Sequence, residues 1–335
     1  MTSPMLRKAR TASDARHGKR PEERSVEERL SKCVIVIDKP MGPTSHQVAS
    51  WVRDMLGVEK AGHGGTLDPR VTGVLPVGMG NSVRAMDYIH EAGKKYIGAM
   101  RLHGDVDDAT LHAAAQEFIG DIFQTPPVRS AVKRALRIRK VYSIEIIEKI
   151  ERDVLLQVSC QGGTYIRSLC VDIGDALGVG AHMQDLRRVS AGPFVESQAV
   201  PLHALRDAVE FWKEGDAKEL MRLMLPIESI FSGWKKVLVK DSSVDSLCHG
   251  APLAIPGLVE FSKDIAKGER VAIYTTKDEI IASGVSMMSS DEIARIKDGI
   301  AIRLERVFME PGTYPMNWAS RVEKDAQGRP RSEPK

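Results

Sequence analysis

Residues 61–80 read AGHGGTLDPRVTGVLPVGMG, with six glycines, two prolines and a single carboxylate, Asp68. Glycine tolerates positive φ and lets other groups approach the main chain closely, and Pro69 disfavours helical geometry for the residue before it. We therefore expect Asp68 to lie on a loop. The apolar residues between Val71 and Met79 predict a buried strand directly after it.

Two interpretations of this loop stay open from its residues alone. An aspartate before proline is commonly a surface turn, because its side chain hydrogen-bonds the nearby backbone. The loop is long, however, and it also carries His63, which favours a ligand-binding loop built around one acid. The chain has no G-x-x-x-x-G-K-[ST], no G-x-G-x-x-G, no G-x-S-x-G and no H-E-x-x-H, so the usual phosphate-loop, dinucleotide, hydrolase and zinc-protease motifs are excluded.

Composition limits the remaining classes of protein. The 335 residues allow two domains, and the net charge of +3 is already contained in the first 30 residues. The four cysteines have no C-x-x-C spacing and the histidines form no ligand-like pair, so we expect no metal, no disulfide framework and a reducing compartment. No apolar run approaches the roughly 18 residues that a membrane helix needs.

Secondary-structure signals predict an α+β protein with a mixed, mainly antiparallel sheet, followed by short strands typical of a small β-barrel. CVIVIDKP reads as a strand, and SHQVASWVRDML reads as a helix capped by Thr44 or Ser45 and ended by Gly57. We predict a disordered basic arm at 1–30, a first domain at 31–232, a second at 233–312 and a tail at 313–335.

Several charged and aromatic side chains are candidates for binding, and each has an ordinary alternative. Lys39 ends the first strand and is either near a site or simply solvated. Tyr96 follows two lysines in a predicted strand, so it is either core or a stacking platform for a base. RSAVKRALRIRK, residues 129–140, has six basic residues and no acid, which suits phosphate contact or a solvated face. Arg167, in the first turn of a predicted helix, needs an anionic partner because the helix dipole disfavours a cation there.

The motifs together closely resemble the TruB-type pseudouridine synthases, and residues 234–318 resemble the RNA-binding PUA domain of the family's dyskerin-like branch. The resemblance rests on four segments in the family's order: GHGGTLDP (62–69) with TGVLP (72–76), KKY (94–96), GTYIRSL (163–169) and LRR (186–188).

This resemblance implies an enzyme that isomerises uridine in RNA to pseudouridine without a cofactor. It implies that Asp68 is the catalytic carboxylate, either as a nucleophile or as a base, and that Arg167 keeps it ionised. Tyr96 would stack on the flipped base, Leu186 would line the pocket, and His63 and Lys39 would contact the substrate. The expected RNA-binding residues are basic: Lys94, Lys95, Lys133, Arg134, Arg137, Arg139, Arg187 and Arg188.

The resemblance also implies partners. Only 26 residues separate Leu102 from Arg129, too few for the RNA-gripping insertion of standalone relatives. We therefore expect H/ACA guide RNA, a Gar-type, a Nop-type and a kink-turn-binding ribosomal-type protein, with rRNA as substrate and tRNA as a possible one. The short tails favour an archaeal cytoplasmic protein over a nucleolar one. A standalone tRNA T-loop enzyme and a silent RNA-binding scaffold are the alternatives.

Overall fold

The computed structural model describes residues 4–9, 11, 13–125 and 135–315. In chain order the strands are β1 (Met5–Arg7), β2 (Cys33–Lys39), β3 (Ala61–His63), β4 (Thr72–Met79), β5 (Lys94–Leu102), β6 (Gly120–Gln124), β7 (Arg137–Ile150), β8 (Asp153–Cys160), β9 (Ala181–Ala191), β10 (Phe194–Val195), β11 (Leu225–Pro226), β12 (Lys235–Val239), β13 (Leu253–Ala254), β14 (Leu258–Ser262), β15 (Arg270–Tyr274), β16 (Ile280–Ser286) and β17 (Ile300–Val307). The α-helices are α1 (Val26–Leu30), α2 (Ser45–Leu56), α3 (Met86–Glu91), α4 (Asp108–Glu117), α5 (Ile166–Ala176), α6 (Leu202–Lys213), α7 (Lys218–Leu223), α8 (Asp241–Cys248) and α9 (Ser290–Arg295).

The chain divides into two compact units, one made of residues 26–225 and one made of the described residues up to 25 and from 226 onward. The first unit is built on a mixed sheet that runs from β2 through β4, β9, β5, β8 and β7 to β6. Its neighbouring strands are antiparallel except β4 and β9, which pair in parallel. The predicted α+β class with a mainly antiparallel sheet is confirmed.

The β2–α2–β4 segment shows why the local sequence adopts this structure. All residues of β2 except Asp38 are buried, in keeping with its continuous apolar run. Thr44 caps α2 and forms a capping box with Gln47, while Gly57 ends the helix at φ 65°. The apolar face of α2 packs on β2 and β4 through Val48 and its neighbours at helical spacing.

A second apolar cluster lies under β5, β8, β9 and α5. It includes Leu67 and Val71, the two residues that bracket the Asp68 turn, together with Tyr96 and Leu186. Burial of Leu67 and Val71 fixes the ends of the loop, so the intervening Asp68 turn is held against the sheet rather than extending freely into solvent.

The other unit contains a seven-stranded sheet in the order β1-β14-β12-β15-β16-β17-β13. Its first strand corrects a prediction, because residues 5–7 lie in the arm that composition suggested is disordered. β1 pairs antiparallel with β14 and forms one edge of the sheet, and the buried guanidinium of Arg24 forms a two-bond ion pair with Glu228. Main-chain pairing and buried ion pairs order a polar segment that has little apolar surface of its own.

The limits of this compact unit differ from those predicted for the second domain. The unit also takes in residues 226–232, because Phe231 packs its ring against those of Trp234 and Phe308, with 5.3 and 5.2 Å between ring centroids. The predicted tail begins too early, since the buried Tyr314 donates its hydroxyl to Glu279 at 2.8 Å. The remainder of the tail, residues 316–335, lies outside the described residues.

Candidate active site

Asp68 lies on the loop between β3 and β4, and a buried serine fixes the residue before it. The Ser45 hydroxyl accepts a hydrogen bond from the Leu67 amide at 2.8 Å and lies 3.1 Å from the Leu67 carbonyl, to which it donates. The Val71 amide closes the turn on the Asp68 carbonyl at 3.0 Å. With Leu67 clamped, the Asp68 side chain points outward and is 57% exposed. Sequence reasoning considered Ser45 only as a helix cap and missed this second role.

The structure brings Arg167 to Asp68 although 99 positions separate them in the sequence. Arg167 lies in the first turn of α5, and its Nη2 donates to Asp68 Oδ2 at 2.9 Å. Both side chains are about half exposed, so the pair contributes little to stability. The pair orients the Asp68 carboxylate while leaving it open to solvent.

Tyr96 and Leu186 lie on the adjacent central strands β5 and β9, in the apolar cluster that also holds Leu67. Gly98 is the cross-strand partner of Leu186, and a side chain at 98 would begin 3.1 Å from the Leu186 methyl group. Burial raises the pKa of the Tyr96 phenol, so it stays protonated near neutral pH. An apolar, aromatic wall therefore backs an exposed ion pair.

Lys39 does not have the substrate contact expected of it. Its side chain is completely buried, and its ammonium donates to the carbonyls of Pro40, Pro69 and Val71 at 2.9, 3.3 and 2.9 Å. The three donors of the ammonium are thus used within the protein. Lys39 holds the two ends of the Asp68 turn, and burial lowers its pKa in spite of the nearby Asp68 charge.

Two residues assigned to RNA contact, Lys94 and Arg188, are also buried. The Lys94 ammonium donates to the carbonyls of Ile89, His90 and Ala92, around the end of α3. Arg188 is 1% exposed and donates to the Val74 and Gly65 carbonyls at 2.8 and 3.0 Å. A phosphate of bound RNA cannot reach either group, so both predictions are wrong.

The remaining basic candidates have different environments. Arg187 forms a bidentate pair with Asp38 and a further bond to Glu196, which leaves little of its charge for phosphate. Lys95 is exposed on β5, and Arg139, at the start of β7, donates to the Gly163 carbonyl at 3.3 Å. Arg137 is also on β7 and is half-buried. Lys133 and Arg134 lie outside the described residues.

His63 ends β3 and contacts the edge of the His46 ring, with 4.7 Å between ring centroids. Burial and then the positive charge of neighbouring groups lower the pKa of His63 to about 4. The imidazole is therefore neutral at physiological pH, and its buried Nε2 has no hydrogen-bond partner. A depression of about 420 Å³ adjoins it, between α2 and β3.

Within the described residues, no group of three or more His, Cys, Asp or Glu side chains could hold a metal ion. No helix in those parts of the chain is both long and apolar enough to cross a membrane.

Family models match nearly the whole chain. The N-terminal domain of the TruB family of pseudouridylate synthases matches residues 53–166, and the C-terminal domain of tRNA pseudouridylate synthase B matches residues 167–232. A PUA domain matches residues 235–308 and a DKCLD domain matches residues 2–49.

Individual proteins agree with these matches. A "probable tRNA pseudouridine synthase B" of Methanopyrus kandleri is 50% identical, covering 94% of this chain and 93% of the relative. The corresponding protein of Methanothermobacter thermautotrophicus is 49% identical, covering 93% and 96%. Among solved structures, a chain of a Cbf5-Nop10-Gar1 complex is 46% identical with a TM-score of 0.87, covering 94% of this chain and 97% of that one. A chain of an H/ACA ribonucleoprotein bound to a substrate RNA containing 2′-deoxyuridine is 44% identical with a TM-score of 0.88, covering 95% and 98%.

The fold, the exposed carboxylate and these relatives define an RNA pseudouridine synthase, an isomerase. The chain belongs to the TruB family, and its DKCLD and PUA segments match the dyskerin-like, archaeal Cbf5 branch of that family.

Proposed function

We propose that the protein converts uridines of rRNA to pseudouridine at positions selected by an H/ACA guide RNA, with Asp68 as the catalytic carboxylate. One observation carries the assignment of Asp68. Its carboxylate is half exposed, paired with Arg167 and fixed at the edge of the Tyr96 and Leu186 wall. A flipped base can be held by such a wall while the acid contacts the ribose.

The proposed reaction needs a broken carbon–nitrogen bond and a new carbon–carbon bond. Asp68 either attacks ribose C1′ or removes the C2′ proton, and the base departs with the electron pair of the N1–C1′ bond. The base rotates and its C5 bonds to C1′, either as the Asp68–C1′ bond breaks or as Asp68 returns the proton to C2′. C5 then loses its proton and N1 takes one up. Arg167 orients the Asp68 carboxylate, and the Tyr96 ring holds the rotating base by stacking.

Guide dependence rests on the relatives. Two structures similar over nearly the full chain are a Cbf5-Nop10-Gar1 complex and an H/ACA ribonucleoprotein bound to a substrate RNA. We extend to this chain a Nop-type and a Gar-type partner, a kink-turn-binding ribosomal-type protein and H/ACA guide RNA. We also propose that the protein acts in the archaeal cytoplasm, and a similar chain from an archaeal box H/ACA Nop10-Cbf5 complex supports the archaeal part of this proposal.

A second candidate substrate is tRNA, which the names of the curated relatives favour. Tritium release from RNA labelled at uridine C5 separates the two, with purified protein assayed with and without guide RNA and the three partner proteins. Guide-dependent release at the paired uridine supports the proposal. Release from tRNA without guide would replace it with a standalone enzyme, and no release under any condition would favour a silent scaffold.

The role of Asp68 is tested in the same assay. Asp68→Asn keeps the shape and removes the charge, so turnover should fall to background while RNA affinity is retained. Asp54→Asn is the matched control, because Asp54 is a similarly exposed carboxylate paired with Arg53 on α2. Turnover by Asp68→Asn close to that of the control would remove Asp68 from the mechanism.

A further inference from the structure

Arg188 is a buried cation that the reaction described above does not use. It is the cross-strand partner of Tyr96, with Arg188 on β9 and Tyr96 on β5. Its Nε and Nη2 donate to the carbonyls of Val74 and Gly65, at the start of β4 and in the Asp68 loop. Within the described residues no carboxylate forms an ion pair with it, and the side chain that interacts favourably with its charge is that of Tyr96, its cross-strand neighbour.

Burying an unpaired cation such as Arg188 lowers the stability of the folded protein, so a purely structural role does not account for it well. Burying an ion costs several kcal/mol, and an apolar residue of similar volume is often at least as stable. Burial lowers the pKa of Arg188, but an arginine side chain is not deprotonated in proteins, so it does not avoid the cost by losing its proton. A charge kept so close to the reacting base therefore points to a role in the chemistry.

The neighbouring lysine differs in this respect. Burial, and after it the charge of Arg188, lowers the pKa of Lys94 to about 7, so its charge is variable near neutral pH. Its ammonium is enclosed by three carbonyls at the end of α3. Unlike Lys94, Arg188 therefore carries its positive charge throughout the neutral pH range, and it lies beside Tyr96.

We propose that Arg188 is a positioning residue for the isomerisation: acting through Tyr96, it orients the phenol and stabilises the negative charge of the detached uracil. This inference rests on the proposed function. When the N1–C1′ bond breaks, its electron pair stays on N1 and the base becomes an anion delocalised onto O2 and O4. Both routes open to Asp68 produce this anion. A fixed cation in a water-excluded site stabilises charge that appears only as the bond breaks, which is the kind of interaction that raises the rate.

Changing the leaving base distinguishes the proposed role from a purely structural one, because a purely structural role predicts the same loss of rate for every base. Fluorine at C5 makes the uracil anion intrinsically more stable, so 5-fluorouridine depends less on help from the protein. Single-turnover loss of the target nucleoside is measured for both substrates in the complete guide complex, by chromatography of digested RNA. Removing one direct oxyanion donor costs about 10²–10³-fold in rate, so an indirect cation is expected to give about 10–100-fold.

We expect Arg188→Met to lose about that factor on uridine and clearly less on 5-fluorouridine, with unchanged RNA affinity. Arg188→Lys, which keeps the charge, should recover most of the rate. Tyr96→Phe should show the same preference for 5-fluorouridine, and Arg188→Met should add little to it. Arg101→Met is the matched control, because Arg101 lies on β5 but is part exposed and paired with Asp153.

Equal losses on the two substrates would overturn the inference, as would full activity of Arg188→Met. If Arg188→Met does not fold, Tyr96→Phe decides the question, since equal losses on both substrates for that variant exclude charge stabilisation through the hydroxyl. An unmodified protein that releases no base under any condition overturns both this inference and the proposed function, whereas normal wild-type turnover with equal losses overturns this inference alone.

Discussion

Replacing Lys39 by methionine should loosen the Asp68 loop, and the structure gives the size of the effect. The ammonium makes three hydrogen bonds, to Pro40, Pro69 and Val71 carbonyls. Bonds that involve a charged group contribute about 1.5–3 kcal/mol each, so the three bonds together contribute about 4.5–9 kcal/mol. The variant no longer buries an ion, which returns several kcal/mol. We expect a net loss of about 2–4 kcal/mol in the free energy of unfolding.

Urea unfolding followed by tryptophan fluorescence measures this loss, since Trp51 and Trp212 both lie in the unit of residues 26–225. Lys95→Met is the stability control, because Lys95 is exposed on the same sheet and its replacement should change the free energy by no more than about 0.5 kcal/mol. Turnover by Lys39→Met should fall as well, because Asp68 loses its fixed position. A change in stability no larger than that of Lys95→Met would refute the assignment of Lys39 as the anchor of the loop.

Three further variants test other parts of the site. The pKa of His63 is lowered to about 4 in the folded protein, so between about pH 6.5 and 4 the unfolded chain binds a proton that the folded protein does not. The free energy of unfolding should therefore fall on acidification through this range, by about 1–2 kcal/mol after allowance for the partial exposure of His63. His63→Asn should flatten urea midpoints measured across that range, and an unchanged slope would contradict this. Gly73→Ala should lower the free energy of unfolding by about 2–4 kcal/mol, because φ at this position is +101° and the new Cβ would lie 2.2 Å from the Arg188 carbonyl oxygen. Thermal unfolding measures this loss, and near-normal stability would show that β4 and β9 can move apart at little free-energy cost. Replacing Arg137 and Arg139 by alanine should reduce the slope of log K for RNA binding against log salt concentration by about 1.4 if each contacts one phosphate of a single strand. An unchanged slope would show that these arginines only face solvent.

The local fold around the site could be predicted because its signals are short-range. The apolar run of β2, the Thr44 cap and the Gly57 end of α2 each follow from neighbouring residues. The same holds for the Asp68 loop, where glycines and Pro69 restrict the main chain directly. Strand pairing order, in contrast, depends on contacts that no local pattern encodes, such as the parallel pairing of β4 with β9.

The basic residues show where charge alone misleads. The sequence analysis assigns Lys39 to substrate contact and Lys94 and Arg188 to RNA contact, although the structure buries all three. Their buried ends are instead satisfied by carbonyls from distant segments, Arg188 for example by residues 114 and 123 positions away. Whether carbonyls converge on a cation is a property of the fold, so no pattern in the sequence distinguishes these residues from Lys95.

The pairing of β1 with β14 has a consequence for how the protein is made. Arg7 bonds to Glu260, a partner 253 residues later in the chain. At about 5–20 residues per second, a ribosome needs about 13–50 s to synthesise the intervening chain. Throughout that time the N-terminal segment is outside the ribosome without its partner strand, and the edge of β14 is completed only by a segment made at the start of translation. Folding of this unit is therefore among the last events of synthesis, and a chaperone that retains the first residues during that interval should raise the yield of folded protein.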